Sequence, residues 1–203
     1  MTVSPQQPTE PKPPDQEPKK ANARAEPPKV VEPFDGASVE KMAAQCVKLE
    51  TEAGNIEIEM LAEMAPETVR NFLNLVSIGA FDTTTFSRVV PRFVVQGGNL
   101  ATRQNLTEEM YRRSQRPVPD EPSIIKHVRG IVSMARTEKP NSATSHFFIL
   151  VGEGANLDGK FSAFGRVRSG MEVADQINQA PVNGEKPEKP VRLNRASVKP
   201  CGQ

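Results

Sequence analysis

The sequence predicts a mainly β domain, a closed antiparallel barrel with helices over its ends, preceded by a disordered tail. Three observations predict it. Short runs of β-branched and aromatic residues recur along the chain, two stretches place apolar residues at helical spacing, and composition changes sharply near residue 36.

Residues 1–36 hold close to half of the chain's 19 prolines, with Gln, Glu and Lys between them and almost no large apolar side chain. Such a segment cannot bury enough surface to offset the entropy of ordering, so a disordered or polyproline-like tether is expected. Its PxxP-like matches are weak, and an inert linker is the simplest reading. The folded domain is then expected over 37–203, with its core over about 46–201. Ser38 to Gln45 carries a short helical pattern (Val39, Met42, Ala43), expected to dock on the domain without joining its core.

From Cys46 the period becomes two. Val47, Leu49 and Thr51 alternate with Lys48, Glu50 and Glu52, and after Ala53-Gly54 the pattern resumes as Ile56, Ile58 and Met60. That predicts two antiparallel strands around a turn. Pro66 suits a first helical turn, Glu67 complements the helix dipole, and Val69, Phe72, Leu73 and Val76 recur at helical spacing up to Gly79. A second helix is predicted from Met171 to about Gln179, with Val173 and Ile177 buried, and a last strand from Val191 to Val198.

The run Phe86-Ser-Arg-Val-Val-Pro-Arg-Phe-Val-Val-Gln-Gly-Gly98 reads as strand, with a bend at Pro91 and an end at Gly97-Gly98. It places one charge, Arg88, and one amide, Gln96, among valines. An arginine in such a run either faces water at an edge or is aimed into a pocket. Two further segments bear on the choice: Gly130-Ile-Val-Ser-Met-Ala-Arg136 with Pro140-Asn-Ser-Ala-Thr-Ser-His-Phe-Phe-Ile-Leu150, and Leu157-Asp-Gly-Lys-Phe-Ser-Ala-Phe-Gly-Arg-Val167. In order and spacing, the three together resemble the FxRxxPxFxxQGG, SMA…SxFFI and LDGK…FG(R/K)V blocks of the cyclophilin family of peptidyl-prolyl cis-trans isomerases. The similarity runs from about Cys46 to the C-terminus. The loops and the Met-Ala-Arg form of the middle block look bacterial.

The resemblance implies an eight-stranded barrel and rotation about X–Pro bonds, assisting protein folding. No bond is made or broken in that reaction, so no metal or cofactor is expected. The family's catalytic positions fall on Arg88, Phe93 and Gln96. Its substrate positions fall on Val94, Ala135, Arg136, His146, Phe148, Asn156, Leu157 and Phe161. Proline-containing polypeptides are the expected partners, and a monomer is the expected state. The first and last strands of this fold pair antiparallel, which makes a Cys46–Cys201 disulfide an expectation alongside two free thiols.

The chain departs from the common eukaryotic pattern at several places. His146 stands where Gln is usual, Phe161 where His is common, and Val94 where Met is common. Asn156 replaces a Trp that borders the pocket, and the chain has no Trp at all. Weak binding of cyclosporin-type ligands is the expected consequence. Ala101 to Ser123 is the least family-like loop.

Other functional classes find little support. A net charge of +1 with no basic, aromatic-interleaved stripe gives no nucleic-acid footprint, and no apolar run reaches the length of a membrane span. Ser133, Ser145 and His146 lack a GxSxG elbow or an acid partner in suitable context. Cys46, Cys201, His127 and His146 lack metal-ligand spacing, Gly152-Glu-Gly154 is too short for a nucleotide loop, and Lys126–Arg129 reads as a solvated turn. A non-catalytic module that captures proline peptides is the alternative on the same fold. Met1 opens directly into polar and proline-rich sequence, so no signal peptide is expected there. The expected location is periplasmic or cell-envelope if an export signal was removed, and cytoplasmic otherwise.

Overall fold

The structure, a computed structural model, describes residues 31–202. Of the tail expected over residues 1–36, residues 1–30 lie outside the described residues. In chain order, α1 (Val39–Ala43) is capped by the Ser38 hydroxyl, which accepts a hydrogen bond from the Lys41 N–H. Strands β1 (Gln45–Thr51) and β2 (Gly54–Met60) follow, with Val47, Leu49, Ile56 and Ile58 fully buried at alternate positions. Thr51 closes their turn: its hydroxyl donates to the Gly54 carbonyl at 2.7 Å and accepts from the Ala53 N–H at 3.1 Å.

Helix α2 (Pro66–Ser77) starts on its proline and buries Val69, Phe72, Leu73 and Val76. Then come β3 (Arg88–Val90), β4 (Val94–Gly97), α3 (Glu108–Ser114), β5 (Ile131–Met134), β6 (Phe147–Leu150), β7 (Ala163–Ser169) and α4 (Met171–Asn178). A small hairpin of β8 (Val182–Asn183) and β9 (Lys186–Pro187) precedes β10 (Leu193–Pro200). No helix among the described residues is long and apolar enough to cross a membrane.

Eight strands form one antiparallel curled sheet in the order β10-β1-β2-β7-β5-β6-β4-β3. Its concave side holds the main core, where the rings of Phe81, Phe147 and Phe164 lie 5.3, 5.3 and 4.8 Å from that of Phe72 on α2. These distances fall in the range of favourable aromatic pairs.

The expected closed barrel is corrected in one respect: β3 and β10 do not pair as strands. A single antiparallel bridge, Thr85 to Arg192, joins the segments just before them. The Phe86 N–H donates to Val191 O at 2.9 Å there, and the Leu193 N–H donates to Thr84 O at 2.8 Å. Closure stops because the outer edge of β3 is occupied by the hairpin, whose Glu185 carbonyl accepts the Val89 N–H at 2.8 Å.

Three local expectations also change. Residues 31–36 belong to the folded unit, which begins at Val31. Phe34 is buried in the main core, and its N–H donates to Asn74 Oδ1 on α2 at 2.8 Å. Glu32 is buried against Arg113, accepting from Nε and, at 2.8 Å, from Nη2. Met42 is fully buried in the core, so α1 does more than dock. The charged Ala101–Ser123 loop contains a helix, α3, because Thr107 caps it and Arg113 reaches inward to Glu32 and Asn71.

Cys46 lies opposite Lys199 across β1 and β10, and Cys201 follows directly. Their sulfur atoms are joined, with a Cα–Cα distance of 4.9 Å and a sequence separation of 155 residues. A loop this long makes the chain-entropy contribution large. Replacing both cysteines by serine is predicted to lower the unfolding free energy by about 3–5 kcal/mol, read from urea denaturation. Glu32→Ala leaves a buried guanidinium without its carboxylate and is expected to cost on the order of 3 kcal/mol. The same value for wild type and variant would mean that the Glu32–Arg113 pair adds nothing to the fold.

Candidate active site

Register sets the site. Arg88 on β3 lies opposite Gln96 on β4, Gln96 lies opposite Phe148 on β6, and Phe148 lies opposite Ser133 on β5. Directly opposed residues in antiparallel strands share a face, so these four form one row across the convex side of the sheet. The neighbouring row, Val89, Val95, Ile149 and Val132, turns the other way and fills the main core. A one-residue slip would exchange the two rows.

On the convex side a second apolar cluster forms from Val94, Ile131, Phe148, Leu150 and Ala163, with Phe93, Ala135, Leu157 and Phe161 packed on it. It floors a cup of about 430 Å³ lined by Arg88, Phe93, Val94, Gln96, Ala135, Arg136, Phe148, Leu157 and Phe161. Phe148 and Phe161 meet edge to face at 6.2 Å. The Arg136 guanidinium sits 4.8 Å over the Phe161 ring and donates to the Lys160 carbonyl, bracing that wall. Asp120 lies 3.4 Å from Arg136 Nε as an ion pair.

Each wall is held by backbone chemistry. Asn178, at the end of α4, accepts the Arg92 N–H at 2.7 Å and donates to the Val90 and Val94 carbonyls at 2.9 and 3.1 Å. It thus fixes the β3–β4 turn, in which Arg92 takes a positive φ of 61°. Gly98 also has a positive φ, and a Cβ there would stand 2.2 Å from the Ser145 carbonyl oxygen, so glycine lets β4 leave the cup beside the chain entering β6.

The opposite rim rests on a buried polar chain. His127 Nε2 is 2.9 Å from Ser133 Oγ, and its Nδ1 is 3.2 Å from Asp158 Oδ1, which also accepts the His127 N–H at 2.8 Å. The acid partner that sequence reading did not find for Ser133 is therefore present. Ser133 is fully buried and His127 nearly so, which leaves no approach for a substrate carbonyl. The chain anchors the Gly154–Asp158 segment that presents Leu157; the Gly154 N–H donates to the His127 carbonyl at 2.7 Å.

The polar side chains of the cup are Gln96, Arg136, which stacks on Phe161, and Arg88. Arg88 donates through Nη1 to Gln96 Oε1 at 3.2 Å. Its Nε and Nη2 donate to the two carboxylate oxygens of Glu185 at 2.6 and 3.0 Å. The guanidinium holds the Glu185 carboxyl below the usual carboxylate range, so it is charged at neutral pH. A guanidinium has five N–H donors. These bonds use three of them and leave one on each Nη nitrogen.

Nine of the eleven expected catalytic and substrate positions come together at this cup. His146 and Asn156 are not in its lining. The His146 carbonyl accepts the Ala135 N–H at 2.9 Å, so its backbone supports the rim, and Asn156 is exposed beside Leu157. Glu185 and Asn178 were missed. Asn178 gives only a weak signal, a polar residue closing an amphipathic helix, and Glu185 gives none. Among the described residues no group of three or more His, Cys, Asp or Glu side chains is placed to hold a metal ion.

Both histidines are set below their ordinary pKa. Burial disfavours the imidazolium of His146, and burial outweighs the hydrogen bond and charge of Asp158 at His127. The unfolded chain therefore binds more protons than the fold once pH drops through about 6.5, the ordinary histidine value. Stability is predicted to be full above about pH 7 and to decline as pH falls through that range toward the lowered folded values. Urea midpoints between about pH 7.5 and 5.5 measure the slope, and His146→Gln is expected to flatten it.

Residues 46–198 match the family model described as cyclophilin type peptidyl-prolyl cis-trans isomerase/CLD. A peptidyl-prolyl cis-trans isomerase A from Dickeya dadantii is 38% identical over 163 residues, covering 75% of this chain and 83% of the relative. A peptidyl-prolyl cis-trans isomerase from Acinetobacter baylyi is 34% identical, covering 80% and 89%. Among solved structures, a cyclophilin type isomerase of Cryptosporidium parvum, crystallised in the presence of the dipeptide Ala-Pro, matches with a TM-score of 0.67 at 28% identity, over 76% of this chain and 98% of that one. With the sheet, the three sequence blocks and these matches in agreement, the chain belongs to the cyclophilin-type peptidyl-prolyl cis-trans isomerases.

Proposed function

We propose that this isomerase seats the proline ring of an X–Pro segment against Phe93, Val94, Phe148, Leu157 and Phe161 and uses Arg88 to favour the twisted amide. Resonance between nitrogen and carbonyl sets a rotation barrier of about 18–20 kcal/mol. When the bond twists, conjugation is lost and the prolyl nitrogen recovers its lone pair. A donor that meets the developing lone pair binds the twisted form better than either planar one, and that difference is what lowers the barrier.

The observation that carries this reading is the Arg88 guanidinium beside the Phe93, Val94, Phe148, Leu157 and Phe161 lining, with one N–H donor left on each of its Nη nitrogens, whereas the second guanidinium of the cup, Arg136, stacks on Phe161. Gln96 holds Arg88 at Nη1 through its Oε1 and offers its amide N–H to the substrate backbone. Ala135 and Arg136 meet the residues before proline through the main chain, and His146 and Asn156 act at the rim. Proline-containing polypeptides, as folding chains or exposed loops, are the substrates. The exposed Asn156, where an indole is common, supports weak cyclosporin binding. The Cys46–Cys201 disulfide supports an oxidising, extracytoplasmic location.

Cis–trans exchange of an Ala-Pro peptide, followed by NMR line shape, tests the assignment. Arg88→Ala is expected to reduce kcat/KM by about 100-fold or more while the fold persists. Retained turnover in that variant would remove Arg88 from the mechanism. A wild type that binds the peptide without exchanging it would leave a binding module.

A further inference from the structure

The Arg88–Glu185 pair is placed as a second support for the guanidinium, independent of Gln96. Glu185 comes from the β8–β9 hairpin, 97 residues along the chain. Asn183 and Lys186 pair across that hairpin, leaving Gly184-Glu185 as its turn, and Gly184 takes the positive φ of 65° that such a turn needs at its first central position. The Glu185 backbone is itself fixed on β3 through the bond from the Val89 N–H. The carboxylate is thus carried to one side of Arg88 by a rigid turn that hydrogen-bonds to the residue next to Arg88.

We propose that Glu185 is a positioning residue of the isomerase site, holding the Arg88 guanidinium in one plane through a bidentate bond so that the remaining Nη donors face the cup. The inference rests on the role given to Arg88 above. Arginine carries several freely rotating bonds, and one bond to Gln96 leaves the plane of its fork free to turn. Two parallel bonds to a carboxylate remove that freedom. The side chains of Arg88 and Glu185 are 40% and 55% exposed, so the pair adds little to the folding free energy. Its consequence lies in geometry, where misplacement of a catalytic group by about 1 Å costs up to 100-fold in rate. Glu185 is not itself among the residues lining the cup and reaches it through Arg88.

The experiment is a double-mutant cycle on full-length protein with the Ala-Pro exchange assay. Glu185→Ala is expected to lower kcat by about five- to tenfold with KM changed less than twofold, and to leave the urea midpoint unchanged. Glu185→Asp is expected to recover part of the loss. In an Arg88→Ala background, Glu185→Ala is expected to add nothing, whereas a merely structural effect would lower both backgrounds alike. The Arg88 side-chain Nε–H resonance is expected to lose its protection from solvent exchange in Glu185→Ala. Unchanged or raised kcat in Glu185→Ala would overturn the proposal, as would equal losses in the two backgrounds. If Arg88→Ala alone keeps full activity, it is the assignment of Arg88 that fails, which separates the two claims.

Discussion

Two cross-strand registers, Arg88 opposite Gln96 and Gln96 opposite Phe148, decide which side chains this protein can bring together. Because side chains alternate along a strand, the same three strands build two environments at once. Val89, Val95 and Ile149 complete the concave core, while Arg88, Gln96, Val94 and Phe148 stand on the convex side. The hydrophobic demand of the core therefore pins the register of the cup. No residue of the cup has to specify its own strand position, and this is why a charged side chain can sit in a valine run without destabilising it.

That coupling explains what was legible in the sequence. Arg88, Phe93, Gln96 and Phe148 lie within or against strands whose period is set by burial, so pattern and family blocks both locate them. Features set by turns and distant partners leave no periodic trace. Glu185 reads as one more charge in a polar turn, and only the fold shows that the turn bonds to β3. Glu32 and Phe34 sit among prolines, where composition argues for a tether, yet one ring and one carboxylate with buried partners suffice to order the segment. Helix α3 has no apolar stripe. It is held by a Thr107 cap and by the ion pair its Arg113 makes with Glu32. The open seam between β3 and β10 depends on a competitor for the β3 edge, and strand counting does not reveal one.

The two arginine–carboxylate pairs show how burial divides roles between similar chemistry. Arg113 and Glu32 are removed from water and must keep each other company, since either one alone would leave an uncompensated charge inside the fold. Arg88 and Glu185 remain solvated, so neither depends on the other for folding. The first pair commits the N-terminal segment to the domain. The second leaves the guanidinium partly exposed at the cup, as its proposed role requires.

The same division extends to the polar chain of His127, Asp158 and Ser133. Its acid–histidine–hydroxyl connectivity would suit nucleophilic catalysis if Ser133 were open to substrate, but the row that brings Ser133 beside Phe148 also buries it. What remains is a set of hydrogen bonds tying the Leu157 segment to β5. A rotation reaction needs a shaped cup and one well-aimed donor, not a nucleophile. In this fold the buried polar groups brace the apolar cup, and the half-exposed Arg88 guanidinium is the donor proposed for it.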